Sequence, residues 1–432
     1  MKICVYGLWH LGCVTAACMA DLGFDVCGLD DDAGVVKKLT SGAAPLFEPG
    51  LDELISKGEA CGRLSFSSDM KNALSGADVL WVAFDTPVDD EDRADIEYVR
   101  AQTLRALAHL RAGGKVVISS QAPVGFVRGL ETACAEKYPG KKLLFASQPE
   151  NLRLGNALPV FLNPDRIIIG VRSTAHIAEF EPLFSKITSR LEWMRTESAE
   201  MTKHAINSFL AVSVVFANEI AGICEAVGAD AAEVARGLKT EERIGPKAYV
   251  GPGTAFAGGT LARDINFLVG TGDRLSKNDL LLRAARESNN IHKDWIKNKL
   301  KELVGGLKGR KIAVLGLTYK PGTSTLRRSL AVELCKWLAA SGAAVAAYDP
   351  LAEQLPPRLA ASIKAVNSIS EAASGADCVI IGAEHPEFRR LAGAELESVC
   401  GRPVIDPSGF LRKVIEGRPG VRYFCVGRGE RL

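Results

Sequence analysis

Short runs of consecutive apolar residues alternate along this chain with longer stretches in which apolar residues recur every three to four positions. Lys2–Tyr6 is the first such run, closed by Gly7; a helical pattern over Gly12–Leu22 follows, and a second run, Asp25–Leu29, ends on Asp30. Short runs that are apolar throughout fit strands buried on both faces, and strand–helix–strand succession opens a parallel sheet. Further strands are expected at Val79–Phe84, Lys115–Ser119, Leu143–Ser147 and Arg166–Gly170. Together they make a doubly wound domain over residues 1–197.

From Ser198 to Val227 the period changes to one long helix carrying Met201, Ala205, Phe209, Val212, Phe216, Ile220 and Ile223. It is too apolar to face water, so it reads as a spine and a dimer contact inside a helical region, 198–305. Glycines and basic residues over Gly305–Lys311 suit a linker. At Gly309 the opening theme returns. Lys311–Gly316, Leu330–Ala340 and Ala344–Tyr348, ending on Asp349, repeat the strand–helix–strand start, with later strands at Cys378–Gly382, Pro403–Asp406 and Val421–Val426. The expected fold class is α/β: two Rossmann-like doubly wound domains, 1–197 and 306–432, joined by a long central helix and helical domain.

Composition narrows the partners more than the fold. The 432 residues are 47% apolar and 24% charged with a net charge of +2, so no global field draws nucleic acid or an anionic membrane. Any anionic ligand needs a local site. The eleven cysteines are scattered singly without a C-x-x-C, which fits buried thiols in a reducing compartment and gives no metal-ligand spacing. The N-terminus leads straight into a strand rather than a signal peptide, and apolar runs such as Phe209–Ala217 are short for a bilayer span. A cytoplasmic protein without membrane, nucleic-acid or metal partners is expected.

Candidate chemistry starts at Gly7-Leu-Trp-His-Leu-Gly12, the strand-to-helix turn where a dinucleotide pyrophosphate is cradled. Asp30 stands at the tip of the second strand, placed for ribose hydroxyls, and Asp31 and Asp32 disfavour the extra phosphate of NADP. Trp9 replaces the middle glycine of this fingerprint, so its indole must either point away or displace the cofactor, the latter leaving a Rossmann half that kept its fold and lost the nucleotide. Lys203 and Asn207, four apart on the long helix, project from one face.

The segment Gly251-Pro-Gly-Thr-Ala-Phe-Ala-Gly-Gly-Thr-Leu-Ala-Arg-Asp264 resembles the signature loop of the UDP-glucose/GDP-mannose dehydrogenase family. Further elements of that family are matched in order by Gly42 with Pro45-Leu-Phe-Glu-Pro-Gly-Leu51, and by Asp85-Thr-Pro87, where the family has G-T-P, with Ala94-Asp-Ile-Glu-Tyr98. Pro123-Val-Gly125, Pro149-Glu-Asn-Leu-Arg153 and Pro164-Asp-Arg-Ile-Ile-Ile-Gly170 follow, then Tyr319-Lys-Pro321 and Tyr348-Asp-Pro350. The resemblance implies an NAD-dependent nucleotide-sugar dehydrogenase, active as a homodimer. It implies Lys203 and Asn207 as oxyanion donors, Asp264 as a water-positioning acid, and Thr260, Glu150 and Gln121 in the same catalytic group. It further implies cofactor contacts at Gly7, Trp9, His10, Leu11, Gly12, Asp30, Thr86 and Arg263, and substrate contacts at Leu152, Arg243, Tyr249, Phe256, Gly258 and Lys320.

The departures from the family pattern bear on chemistry. Thr260 stands at the family's nucleophilic cysteine, Arg263 at its lysine, Gln121 at a threonine and Leu154 at an acid, while Ser324-Thr325 and Ser408-Gly409 replace polar pairs. A thiolate is a good nucleophile near neutral pH and a threonine hydroxyl is not. Two outcomes stay open: a single hydride transfer giving a carbonyl sugar, or a catalytically inactive, regulatory nucleotide-sugar-binding homologue. Dehydrogenases of the 6-phosphogluconate or hydroxyacyl-CoA type also join a Rossmann domain to helices, but leave the second strand–helix–strand start unexplained.

Overall fold

In the computed structural model, which describes residues 1–87, 94–150, 152–257, 260–352 and 355–429, the apolar runs become the strands of two separate sheets. One lies in the unit Met1–Ala205 and the other in Ile206–Leu432. The first contains β1 (Lys2–Tyr6), β2 (Asp25–Leu29), β3 (Leu64–Ser67), β4 (Val79–Val82), β5 (Lys115–Ile118), β6 (Leu144–Ser147), β7 (Ile167–Val171) and β8 (Leu191–Arg195), in the order β3-β2-β1-β4-β5-β6-β7-β8. Neighbours from β3 to β6 run parallel, whereas β7 is antiparallel to β6 and parallel to β8. The sequence pattern could not announce this reversal. All five residues of β7 are buried, and continuous burial records position inside a sheet, not strand direction.

Alternation along β1 sends Ile3 and Val5 to one face of the sheet and Cys4 and Tyr6 to the other. On the first face they meet Val14 and Met19 of α1 (His10–Asp21) together with Trp81 and Phe184. On the second they meet Leu80 and residues of α2 (Phe126–Lys137), including Phe126 and Leu130. Every residue of α1 from His10 to Ala20 is buried, as expected for a helix that is apolar and small-residued all round. It starts two residues before the expected Gly12 because Trp9 forms its N-cap.

The long helix, α3 (Thr196–Val227), continues from the first unit into the second. By length and composition alone it could cross a membrane, yet Glu200, His204, Asn207 and Asn218 are buried polar residues bonded to neighbouring protein segments. In the second unit Ala211, Val214 and Val215 of α3 pack with Ile265 and Val269 of α4 (Leu261–Leu275) and Ala285 of α5 (Leu280–His292).

The second sheet contains β9 (Lys311–Leu315), β10 (Ala344–Tyr348), β11 (Lys364–Ala365), β12 (Cys378–Ile381), β13 (Val404–Ile405) and β14 (Tyr423–Phe424). Its order, β11-β10-β9-β12-β13-β14, repeats the arrangement of the first six strands, and all its pairings are parallel. Val314 and Ile380 face Leu338 of α6 (Leu330–Ala340) on one side, while Leu315 and Val379 face Phe388 on the other. All eleven cysteines are free thiols and most are buried. Burial pushes Cys335 up to about 12 and Cys425 to about 11, leaving both unreactive at neutral pH.

Candidate functional site

The dinucleotide turn is built by close approach. A Cβ at Gly12 would fall 1.8 Å from the Gly7 carbonyl oxygen, and Gly7, at φ +98°, has the Phe84 ring 2.7 Å from its own Cβ position. Neither place admits a side chain. Trp9 is 46% exposed and offers α1 no side-chain cap, so its indole faces outward and the first-turn amides of α1 keep their positive end for an anion. Asp30 accepts from Leu8 N at 2.8 Å and from Asp32 N at 2.9 Å, and stays partly exposed. Asp32 instead caps the helix Ala33–Thr40. Asp31 is paired with Arg105, which also donates to the Tyr6 hydroxyl at 2.6 Å. A close-packed glycine turn, a helix start whose N-cap residue offers no side-chain cap and a strand-tip carboxylate fit a dinucleotide.

Two side chains, Glu48 and Asp85, tie this turn to its surroundings. His10 Nε2 meets Glu48 Oε2 at 2.8 Å, and the buried Glu48 also accepts from Gly155 N and Ala157 N at 2.8 Å each. Leu11 N donates to Asp85 at 3.2 Å. Thr86, buried, donates to the Gln121 carbonyl at 2.6 Å.

Gln121, Glu150 and Lys203 share one small cavity of the first unit with Glu200 and His204. Lys203 Nζ donates to the Glu150 carbonyl at 2.6 Å, and the Glu150 carboxylate accepts from Leu152 N. Leu152 itself lines a neighbouring, mostly apolar cavity with Leu11 and Trp81. Glu200 accepts from Gly125 N at 2.6 Å and Val127 N at 3.0 Å, closing the start of α2. Burial raises the Glu200 carboxyl, and the two amides oppose that rise. His204 bonds the Ala122 carbonyl at 3.0 Å. Glu48, Glu200 and His204 were not among the expected residues. The last two sit four apart on one face of the long helix, as Lys203 and Asn207 do.

In the second unit Asn207 donates its amide to Asp264, and both are buried. Asp264 lies in the first turn of α4, with Arg263 beside it and Thr260 at the N-cap. Thr260 is exposed and its hydroxyl does not cap the helix. The preceding loop is clamped by three side chains that sequence reasoning missed. Asn289 accepts from Phe256 N and donates to Phe256 O, both at 2.9 Å; Asn218 accepts from Gly253 N at 2.9 Å; His292 Nε2 meets Gly253 O at 2.8 Å. Burial lowers the His292 imidazole, and the bond to Gly253 O opposes that shift. Gly258 lies outside the described residues. Tyr249 and Arg243 are exposed, the latter bonded to Glu241 at 2.6 Å, and Lys320 is exposed in the loop after β9.

Three domain models of one family match the chain in order. They are the NAD binding, central and UDP binding domains of the UDP-glucose/GDP-mannose dehydrogenase family, over residues 1–188, 197–291 and 313–413. The chain is 36% identical to the UDP-glucose 6-dehydrogenase of Rhizobium meliloti, with 100% of both chains covered. A UDP-glucose dehydrogenase from Pyrobaculum islandicum superposes with a TM-score of 0.87 at 31% identity, covering 95% of each chain. A UDP-D-ManNAc dehydrogenase from Pyrococcus horikoshii gives 0.87 at 26% identity over 100% of each.

Proposed function

Because the chain belongs to the UDP-glucose/GDP-mannose dehydrogenase family, whose members use NAD, we propose that it oxidises a UDP-sugar alcohol by one hydride transfer and releases the carbonyl product. The observation that carries the single step is Thr260, an exposed hydroxyl at the start of α4 where the family signature has cysteine. The family resemblance routes the second oxidation through a covalent adduct on the cysteine, and a threonine hydroxyl, far less acidic than a thiol, is a poor nucleophile near neutral pH.

NAD, when bound, would accept the hydride, and the hydroxyl proton would pass to water. The α1 turn with Gly7, Trp9, His10, Leu11 and Gly12 holds the dinucleotide, Asp30 takes its ribose, and Thr86 and Arg263 are proposed cofactor contacts. Lys203 and Asn207, one turn apart on α3, donate to the sugar oxygen as negative charge develops there. Losing one such donor costs about 10²–10³ in kcat. Asp264 fixes the rotamer of the Asn207 amide, and the Glu150 carbonyl holds the Lys203 ammonium; Gln121 lines the same cavity as Glu150 and Lys203. Leu152, Arg243, Tyr249, Phe256, Gly258 and Lys320 are proposed to bind the UDP-sugar.

The domain limits 1–197, 198–305 and 306–432, a cytoplasmic location and a homodimer complete the proposal. Phe209, Phe216 and Ile223, exposed at seven-residue spacing along α3, support the dimer. The test is NADH counted per UDP-glucose, and per other UDP-sugars, with product identified by mass. One NADH with a trappable aldehyde or ketone is expected; two with a uronic acid contradict the single step.

A further inference from the structure

Asp85, exposed in the loop after β4, directs a carboxylate oxygen to Leu11 N at 3.2 Å. Leu11 is the second residue of α1, whose N-cap supplies no side-chain partner to the first turn. Main-chain amides in that turn are the groups that hold a pyrophosphate, so the carboxylate and a phosphate oxygen compete for one donor. A second observation places the charge at the same spot. Burial first, and then the Asp85 and Asp30 carboxylates, raise the thiol of Cys13 on the next residues of α1. Two anions therefore already face this turn, and a third meets both repulsion and an occupied amide. In the family element that residues 85–87 resemble, the corresponding position is glycine, which cannot compete.

We propose that Asp85 is a built-in occupant of the pyrophosphate position, displaced from the Leu11 amide when NAD binds, so that this residue sets and weakens cofactor affinity. The inference rests on the NAD assignment. It separates ligands by chemistry: NAD and ADP-ribose carry the pyrophosphate and compete with Asp85, whereas adenosine carries only the base and ribose directed to Asp30. Asp85→Asn keeps the size and removes the charge, and Asp85→Gly removes both.

Calorimetric titration of the full chain with NAD, ADP-ribose and adenosine tests this. Both variants are expected to bind NAD and ADP-ribose about tenfold or more tightly than the wild type, with adenosine changed by less than about twofold. Equal or weaker NAD binding in both variants, with wild-type melting temperatures, overturns the proposal, as does an equal gain for adenosine. If the glycine variant melts early, the asparagine variant decides. Adenosine binding without any NAD binding in all three proteins overturns the role of Asp85, and loss of all three ligands removes the NAD assignment as well.

Discussion

Two sheets of this chain share one strand order but treat their first loop in opposite ways. In the first, β1 passes through Gly7 directly into α1, and Asp30 remains partly exposed after accepting from Leu8 N and Asp32 N. In the second, the chain runs from Gly316 to Ser329 before α6 begins, and Ser329 caps that helix through Val332 N. Asp349, the counterpart of Asp30, is buried. It accepts from Leu317 N at 2.6 Å, Thr318 N at 2.8 Å and Leu351 N at 2.8 Å, and meets the buried His385 at 3.1 Å. Burial alone would raise the Asp349 carboxyl; the bond and charge of His385 and the two loop amides outweigh it and hold the group at about 2. The topology places a carboxylate at each strand tip. Asp349 is withdrawn from solvent by three amides and His385, whereas Asp30, with each oxygen taking one amide, stays partly exposed.

Substitution at the glycines that close the two turns should break the comparison most severely. Gly12→Val would drive a Cβ into the Gly7 carbonyl oxygen, 1.8 Å away, and Gly382→Val one to 2.4 Å from the Gly316 carbonyl oxygen. Each should cost about 3 kcal/mol or more in urea unfolding. NAD binding should vanish only in the first, as measured by calorimetry on whatever fraction stays folded.

Asp349→Asn comes next, at about 2 kcal/mol, because the folded carboxyl sits at about 2 against an ordinary 3.8. A depressed carboxyl stabilises fully above its unfolded value and loses that contribution as pH falls through the folded one. The second unit should therefore lose stability between about pH 4 and pH 2, and the asparagine variant should flatten that part of the curve. An unchanged slope would show that His385 and the loop amides do not favour the ionised form. Ser329→Ala should have the smallest effect, about 1 kcal/mol from the lost cap, confined in hydrogen exchange to the amides that begin α6.

How much of this was legible varied with position. β1, β2, β10 and α6 carry the limits expected from the sequence, since their apolar runs are bounded sharply by glycine, a charged residue or a cap. The edge strand β3, with burial falling from Leu64 to Ser67, and β8, mostly half-exposed, left no such run. The same holds for β11, a two-residue exposed edge. The close approach at Gly7 and Gly12 and the strand-tip place of Asp30 were readable because both are local. Glu48 was not, since its amide partners lie more than a hundred residues ahead. Asn218 and Asn289 were hidden too, their loop partners lying 35 and 33 residues away. The outward turn of Trp9 depends on packing around α1 that no single residue reveals.

The most direct test of the division between the sheets is NAD titration of the wild type, Asp30→Ala and Asp349→Asn, followed by calorimetry. One NAD per chain is expected for the wild type and Asp349→Asn with equal affinity, and binding weaker by about tenfold or more for Asp30→Ala. Undiminished binding in Asp30→Ala together with a loss in Asp349→Asn would contradict the account and move the cofactor to the second sheet.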